Sequence, residues 1–183
     1  MRLLLRFEAV TLRRGGRLLF EGLDVKLGPG EALHLTGPNG SGKSSLIRLA
    51  AGLLRAEAGQ VECATLALAD DALALDRELT LARALQFWAA DIDGVMAAMG
   101  LTALAEVPVR LLSAGQAKRA TLARVAASGA PLWLLDEPLN GLDADGVARL
   151  DALVVRHRQA GGAVLAASHS KLGGAWAQLE LGR

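Results

Sequence analysis

Cys63 is the chain's only cysteine. A lone thiol excludes an intramolecular disulfide framework and fits a reducing compartment. Long apolar runs are missing too. No stretch approaches the roughly 20 uncharged apolar residues of a spanning helix, because Asp70, Asp71, Arg124, Asp136 or His169 interrupts each greasy window. At the N-terminus, Leu3-Leu4-Leu5 is far too short for the apolar core of a signal peptide. Net charge is only +1, so no basic field argues for a nucleic-acid partner or an anionic membrane. Repeats, low-complexity tracts and Pro/Ser-rich linkers are absent, and no Cys/His group has zinc spacing. What the chain has in plenty is aliphatic surface. Apolar residues make up 52% of 183 positions, Leu and Ala supply 37 and 35 of them, and mean hydropathy is +0.32. That composition excludes a disordered or collagen-like chain. It suits one cytosolic domain over 1–183, with apolar surface to bury in a core or under a partner.

The N-terminal quarter alternates and turns. Leu3 to Val10, Gly15-Gly16, Leu18 to Leu27 and Gly28-Pro29-Gly30 predict a β-meander. Glu31 to Thr36 is a strand running into a glycine-rich turn, and Lys43 to Leu54 a helix with apolar Leu46, Ile47, Leu49, Ala50, Leu53 and Leu54. One or two short strands are expected over Val61 to Ala69, and helices over Thr80 to Ala90, Ile92 to Met99, Ala114 to Ala127 and Gly146 to Gln159. The continuous apolar runs Pro131 to Leu135 and Ala163 to Ala167 suit strands buried on both faces, and Gln178 to Leu181 a last short one. Strands alternating with helices after residue 31 predict an α/β fold with a mostly parallel sheet.

Gly37-Pro38-Asn39-Gly40-Ser41-Gly42-Lys43-Ser44 satisfies G-x-x-x-x-G-K-[ST], a pattern this composition would give about 0.004 times by chance. It stands between a strand and a helix, where its mechanism needs it. Glycines let the backbone wrap a phosphate, and successive N–H groups with the helix N-terminus face the anion. Lys43 would neutralise β/γ-phosphates and Ser44, followed by Ser45, would bind Mg²⁺. Leu132-Trp133-Leu134-Leu135-Asp136-Glu137 is a buried strand ending in an acid pair, at the sheet edge where ligands of α/β folds bind. Asp136 would hold Mg²⁺ through water, and Glu137 would orient and deprotonate the attacking water. In Leu112-Ser113-Ala114-Gly115-Gln116 the spacing of Ser113 and Gln116 is a capping box. Local physics alone thus starts a helix there; a second reading has Ser113, the Gly115 amide and the helix dipole grip a phosphate.

Taken together these motifs resemble the ATP-binding cassette (ABC) ATPases. The order is phosphate loop, signature, then the acid pair 20 residues after Gln116. Asn140-Gly141-Leu142-Asp143 looks like their D-loop, and Ser168-His169, 32 residues after Glu137, like their switch histidine. The resemblance runs from about residue 3 to 181. It implies a P-loop NTPase with a mostly parallel sheet core, an N-terminal antiparallel β subdomain and a short helical subdomain at roughly 76–127. It also implies ATP and Mg²⁺ as cofactors, Glu137, His169 and Lys43 as catalytic groups, and a head-to-tail homodimer. In that dimer the Gly37–Ser45 loop of one copy and Ser113, Gly115, Gln116 and Asp143 of the other enclose the nucleotide.

Finer details look like the ATP-binding subunits of cytochrome c maturation systems, described as haem exporters. These are Arg17-Leu18-Leu19-Phe20, Val107-Pro108-Val109 before the Leu-Ser-Ala-Gly-Gln signature, and Leu132 to Pro138. That likeness implies a small integral-membrane partner and a peripheral place on the cytoplasmic face of the inner membrane. ATPases of other transporters share single details, and a nucleotide-dependent module that hydrolyses weakly is a further alternative.

The chain also departs from the family pattern. Where a Q-loop glutamine is expected, it reads Asp70-Asp71-Ala72-Leu73-Ala74-Leu75-Asp76. One of the two leading aspartates is expected to lie near Mg²⁺ in its stead, the alternative being a solvated loop. In place of the aromatic that stacks on adenine stands Arg14, which would stack its guanidinium or be a solvated turn charge. Lys43 and Ser113 are 70 residues apart, fewer than usual, so the chain is trimmed between about Cys63 and Leu111. Apolar helices there, Leu81 to Trp88 and Val95 to Leu104, are expected to face a partner. Trp88, Trp133 and Trp176 read as core or partner-facing, and neither His34 nor His157 reads as a ligand.

Overall fold

A computed structural model describes residues 3–89 and 91–182. Two strands, β1 (Leu5–Arg14) and β2 (Arg17–Leu27), form an antiparallel hairpin closed by Gly15-Gly16. Both glycines have positive φ, 56° and 79°, as the tight primed turn of a twisted hairpin requires. The expected meander is a hairpin only. Its third strand is β4 (Ala58–Cys63), which joins the far edge of β1, while the segment after Gly30 leaves for another sheet.

That second sheet has five strands: β3 (Ala32–Thr36), β5 (Leu66–Ala69), β6 (Leu132–Asp136), β7 (Ala163–Ala167) and β8 (Ala177–Glu180). Their order is β5-β6-β7-β3-β8, and every pairing is parallel. The helices are α1 (Lys43–Ala50), α2 (Leu81–Gln86), α3 (Asp93–Ala98), α4 (Ala114–Ala127) and α5 (Ala144–Gln159), with short 3-10 turns at Thr102–Leu104 and Val109–Leu111. The stretch 66–69 and the stretch 58–63 are thus two strands in two sheets.

Alternation along the buried strands makes two cores. Leu132, Leu134 and Leu165 face one side, packing with α1 and the hairpin residues Leu5, Phe7 and Val10. Trp133, Leu135 and Val164 face the other, packing with α2 to α5. This is why continuous apolar runs form strands here: both faces are covered.

Three expectations need correction. Helix α1 stops at Ala50, not Leu54; Gly52 turns the chain at φ 72°, and Leu53 is left 61% exposed. Helix α2 ends at Gln86, short of Ala89, and Ala90 lies outside the described residues. The apolar helices of the trimmed stretch face mostly inward: Leu81, Leu85, Met96, Met99 and Leu101 are all buried. Among the described large apolar residues there, Phe87 is the most exposed at 83%, followed by Leu111 and Leu79.

Candidate functional site

In a parallel sheet all strands end on one side, and here three of those ends converge with the hairpin tip. β3 runs into the loop Gly37–Gly42, β6 into Asp136-Glu137 and β7 into Ser168-His169. A cavity of about 510 Å³ opens between them. Its walls are Arg14 and Leu19 from the hairpin, Asn39, Gly40, Gly42, Lys43, Ser44 and Ser45 from the loop and α1, and Glu137, Asn140 and His169 opposite.

The loop is shaped for close approach. Gly37 has φ 131°, and a Cβ there would collide with the Leu181 carbonyl oxygen. Gly42 caps α1 in the left-handed conformation, with no side-chain cap and no acid in the first turn. The amides at the start of α1 are therefore left for an anion. Ser41, only 3% exposed, has a hydroxyl with no partner among the described residues. Lys43 lies across the loop, its Nζ donating to the carbonyls of Gly37 (2.7 Å) and Pro38 (3.0 Å). This donor set fits a phosphate chain: a free helix start, an unpaired hydroxyl and a lysine held by weakly competing carbonyls.

Ser44 Oγ donates to Asp136 Oδ1 at 2.9 Å, placing two hard oxygens side by side. Burial pushes the Asp136 carboxyl up; the Ser44 hydrogen bond opposes this and the neighbouring Glu137 charge adds to it. A buried carboxylate held above its ordinary range gains from a cation. The pair fits Mg²⁺, which takes one or two protein oxygens and completes its shell with water and phosphate.

Glu137 adopts φ 46°, a left-handed conformation rare outside glycine. Its N–H donates to the Ala167 carbonyl at 2.8 Å, and its Oε1 lies 3.5 Å from His169 Nε2. His169 is half exposed, Glu137 less so.

Ser113, Gly115, Gln116 and Asp143 do not line this cavity. Ser113 and Gln116 form the full capping box: Gln116 Oε1 accepts from Ser113 N (2.8 Å) and Ser113 Oγ from Gln116 N (3.3 Å). Gly115 passes so close to Gly141 that a Cβ would lie 3.0 Å from its carbonyl oxygen. Asp143 caps α5, accepting from Gly146 N at 2.8 Å.

The parallel register Ala69↔Leu135 carries Asp70 and Asp71 out beside Asp136 and Glu137. Asp70 accepts from Ala72 N at 3.0 Å. Burial lowers the pKa of Lys118, half-buried on α4, and the charges of Asp71, Asp136, Asp70 and Glu137 oppose this.

Sequence reasoning missed two residues. Arg124 is buried on α4, donates to the Leu68 carbonyl at 2.5 Å and lies 4.9 Å over the Trp88 ring. His34 is buried in β3 and reaches the Ser168 carbonyl at 3.0 Å. Only the alternation of β3 around His34 hinted at the second.

The family model for ABC transporters matches residues 20–140. The cytochrome c biogenesis ATP-binding export protein CcmA of Sphingopyxis alaskensis is 54% identical over 180 residues, covering 94% of this chain and 93% of that protein. Its counterpart from Novosphingobium aromaticivorans is 55% identical over 167 residues, covering 89% and 87%. The chain belongs to the cytochrome c biogenesis branch of the ABC transporter ATP-binding family. Solved structures agree on the fold. The ATP-binding subunit of an ABC transporter superposes with TM-score 0.84 at 20% identity, covering 91% of this chain and 79% of that one. An ABC transporter ATP-binding protein from Pyrococcus furiosus gives 0.82 at 18%, covering 97% and 96%. As a member of this family the chain is an ATP-binding and ATP-hydrolysing subunit. Among the described residues no helix is long and apolar enough to cross a membrane.

Proposed function

We propose that this ATPase subunit works as half of a head-to-tail homodimer and drives a small integral-membrane partner in cytochrome c biogenesis, in the export of haem or the release of a haem-loaded chaperone. The observation that carries the dimer is the division of the site. The loop, the acid pair and His169 share one cavity, while Ser113, Gly115 and Gln116 stand outside it. A second copy would bring its own Ser113, Gly115 and Asp143 to the open side.

In this reading the amides of Gly37–Ser45 (except Pro38, and Ser41, whose N–H donates to the Pro38 carbonyl), the Ser41 hydroxyl and the Lys43 ammonium hold the phosphates, and Arg14 with Leu19 receives the base. Ser44 and Asp136 hold Mg²⁺, which when bound supplies positive charge against the phosphate oxygens. Glu137 orients a water and takes its proton, a role that general-base catalysis makes worth about 10²–10⁴-fold. His169, 3.5 Å from Glu137 Oε1, fixes that carboxylate's direction. Asp70 or Asp71 serves the metal's outer shell. The whole of 1–183 acts as one ATPase unit with residues 76–127 as its helical insertion, peripheral on the cytoplasmic face of the inner membrane.

The partner face lies on that insertion. Asp76, Leu79, Ala84, Phe87 and Trp88 there, with Ala74 and Leu75 just before it, line a mostly apolar groove of about 360 Å³, and Phe87 is largely exposed. Co-purification from membranes tests the reading. The chain is expected to bring down one small integral-membrane protein and to lose haem-loaded chaperone release with Glu137→Gln. A Glu137→Gln strain with normal cytochrome c maturation would overturn it.

A further inference from the structure

His34 is an odd residue for its place. Strand β3 lies inside the parallel sheet, hydrogen-bonded on both sides, with His34 opposite Ala166 of β7 and Gln178 of β8. Its neighbours Ala32, Leu33 and Leu35 are apolar and buried, and His34 itself is 4% exposed. The sheet takes up its backbone groups, so the ring must satisfy its own polar atoms or bear a desolvation cost. Its Nε2 does so against the Ser168 carbonyl oxygen, 3.0 Å away. A carbonyl only accepts, so Nε2 carries the proton and donates, which fixes the tautomer. The Trp176 ring stands edge-on to His34 at 6.3 Å, walling the other side.

Ser168 is the residue before His169. It is 2% exposed, and its hydroxyl accepts from Ser170 N at 3.1 Å. The two residues flanking His169 are therefore tied together, and the first of them is anchored to β3. One residue back, the Ala167 carbonyl accepts the Glu137 N–H at 2.8 Å. Successive carbonyls at the end of β7 thus hold the backbone of Glu137 and the ring of His34. Among the described residues His169 makes no comparable contact of its own: its side chain is 51% exposed and meets Glu137 at 3.5 Å. Because the peptide bond is planar, fixing the Ser168 carbonyl fixes the plane from which His169 departs.

We propose that His34 is a positioning residue: by donating to the Ser168 carbonyl it sets the approach of His169 to Glu137. This deepens the catalytic reading above and rests on it for the role of His169. The phosphate loop begins three residues after His34, so one strand carries both the phosphate anchor and the brace for the switch histidine.

The chain has three histidines, His34, His157 and His169, so ring ¹⁵N–¹H correlation spectra of the nucleotide-free protein resolve each one. With His34→Met, which removes the donor at similar volume, the His169 ring signals are expected to shift and broaden and their proximity to Glu137 to be lost. Turnover is expected to fall about tenfold, the scale of a small misplacement of a catalytic group, with KM for ATP within twofold of wild type. His34→Gln, which keeps an N–H donor, restores most of it. In a His169→Ala background His34→Met is expected to cost nothing further. If His34→Met folds poorly, Ser168→Ala removes the other tie and must displace the same His169 signals. Unmoved His169 signals in the folded variants, or an equal loss of turnover with and without His169, would overturn the proposal. Should His169→Ala alone keep full turnover, the catalytic reading of His169 fails, and the spectra still decide whether His34 holds it.

Discussion

Glu137 combines a strained backbone with the chemistry assigned to it. A non-glycine residue at φ 46° costs on the order of 1–3 kcal/mol, held in place by the N–H bond to Ala167. Glu137→Gln keeps shape and strain but loses the base; its turnover is expected to fall at least about 10²-fold with ATP binding retained, read by steady-state assay and calorimetry. Asp136 makes a matching case. Its carboxyl is raised by burial, so the ionised form it must adopt at neutral pH opposes folding. Asp136→Asn is expected to raise the Tm of the nucleotide-free protein by about 2–4 °C, the response to about 1 kcal/mol in a chain this long, while removing the Mg²⁺ dependence of ATP binding. His157 has the opposite sign. It stacks on Trp133 at 3.8 Å, and burial pushes its pKa down. The unfolded chain then binds the proton more tightly, so stability is full above the ordinary histidine value and is lost as pH falls below it. His157→Gln is expected to flatten that decline in a urea-denaturation series from pH 7 to 5. Most of these residues were legible: Lys43, Ser44, Asp136, Glu137 and His169 each sit in a contiguous motif or at a strand end. His34 was not, because its partner lies 134 residues away and nothing local marks it.

At the scale of elements, a buried cation ties α4 to the sheet in addition to its apolar packing. Arg124 donates to Leu68 of edge strand β5 and lies over Trp88, joining β5, α4 and the turn after α2. Burial lowers its pKa and the charge of Asp70 opposes this. Arg124→Met strands the Leu68 carbonyl and is expected to cost about 1–3 kcal/mol in denaturant titration. From the sequence Arg124 is one more helical arginine; its burial depends on where α4 crosses β5, which periodicity does not specify. The end of α1 was misread for a related reason. Leu53 and Leu54 continue the apolar spacing, but Gly52 in a left-handed turn wins. Phe87 belongs to this scale as well. It projects from the end of α2 against Trp88 at 5.4 Å, and replacing it should weaken membrane-partner capture without touching the nucleotide cavity. Phe87→Asp is expected to abolish co-purification of the membrane subunit and to leave basal ATPase within twofold, as pull-down and phosphate release would show.

Across the whole molecule, the layout separates what binds phosphate from what could complete the site. Parallel pairing was legible from alternating strands and helices. The order β5-β6-β7-β3-β8 was not, since β3 slots between β7 and β8 through contacts more than 100 residues apart. That order sets the phosphate loop beside His169 and, with β6 next in line, near Glu137, while α4 packs on the opposite core and Ser113, Gly115 and Gln116 at its start do not line the cavity. In the shared-site reading the signature serves the loop of a second copy rather than its own. Mixing chains separates the two possibilities. Lys43→Ala and Ser113→Arg should each be nearly inactive alone. Mixed in equal amounts, half the dimers are heterodimers, each with one intact and one doubly damaged site, so activity should recover to about a quarter of wild type for independent sites. If each site were built within one chain, the mixture would show only the mean of the two inactive parents. Turnover per chain should also fall on dilution below the dimer Kd, and a mixture that stays inactive while sedimenting as heterodimer would end the shared-site reading.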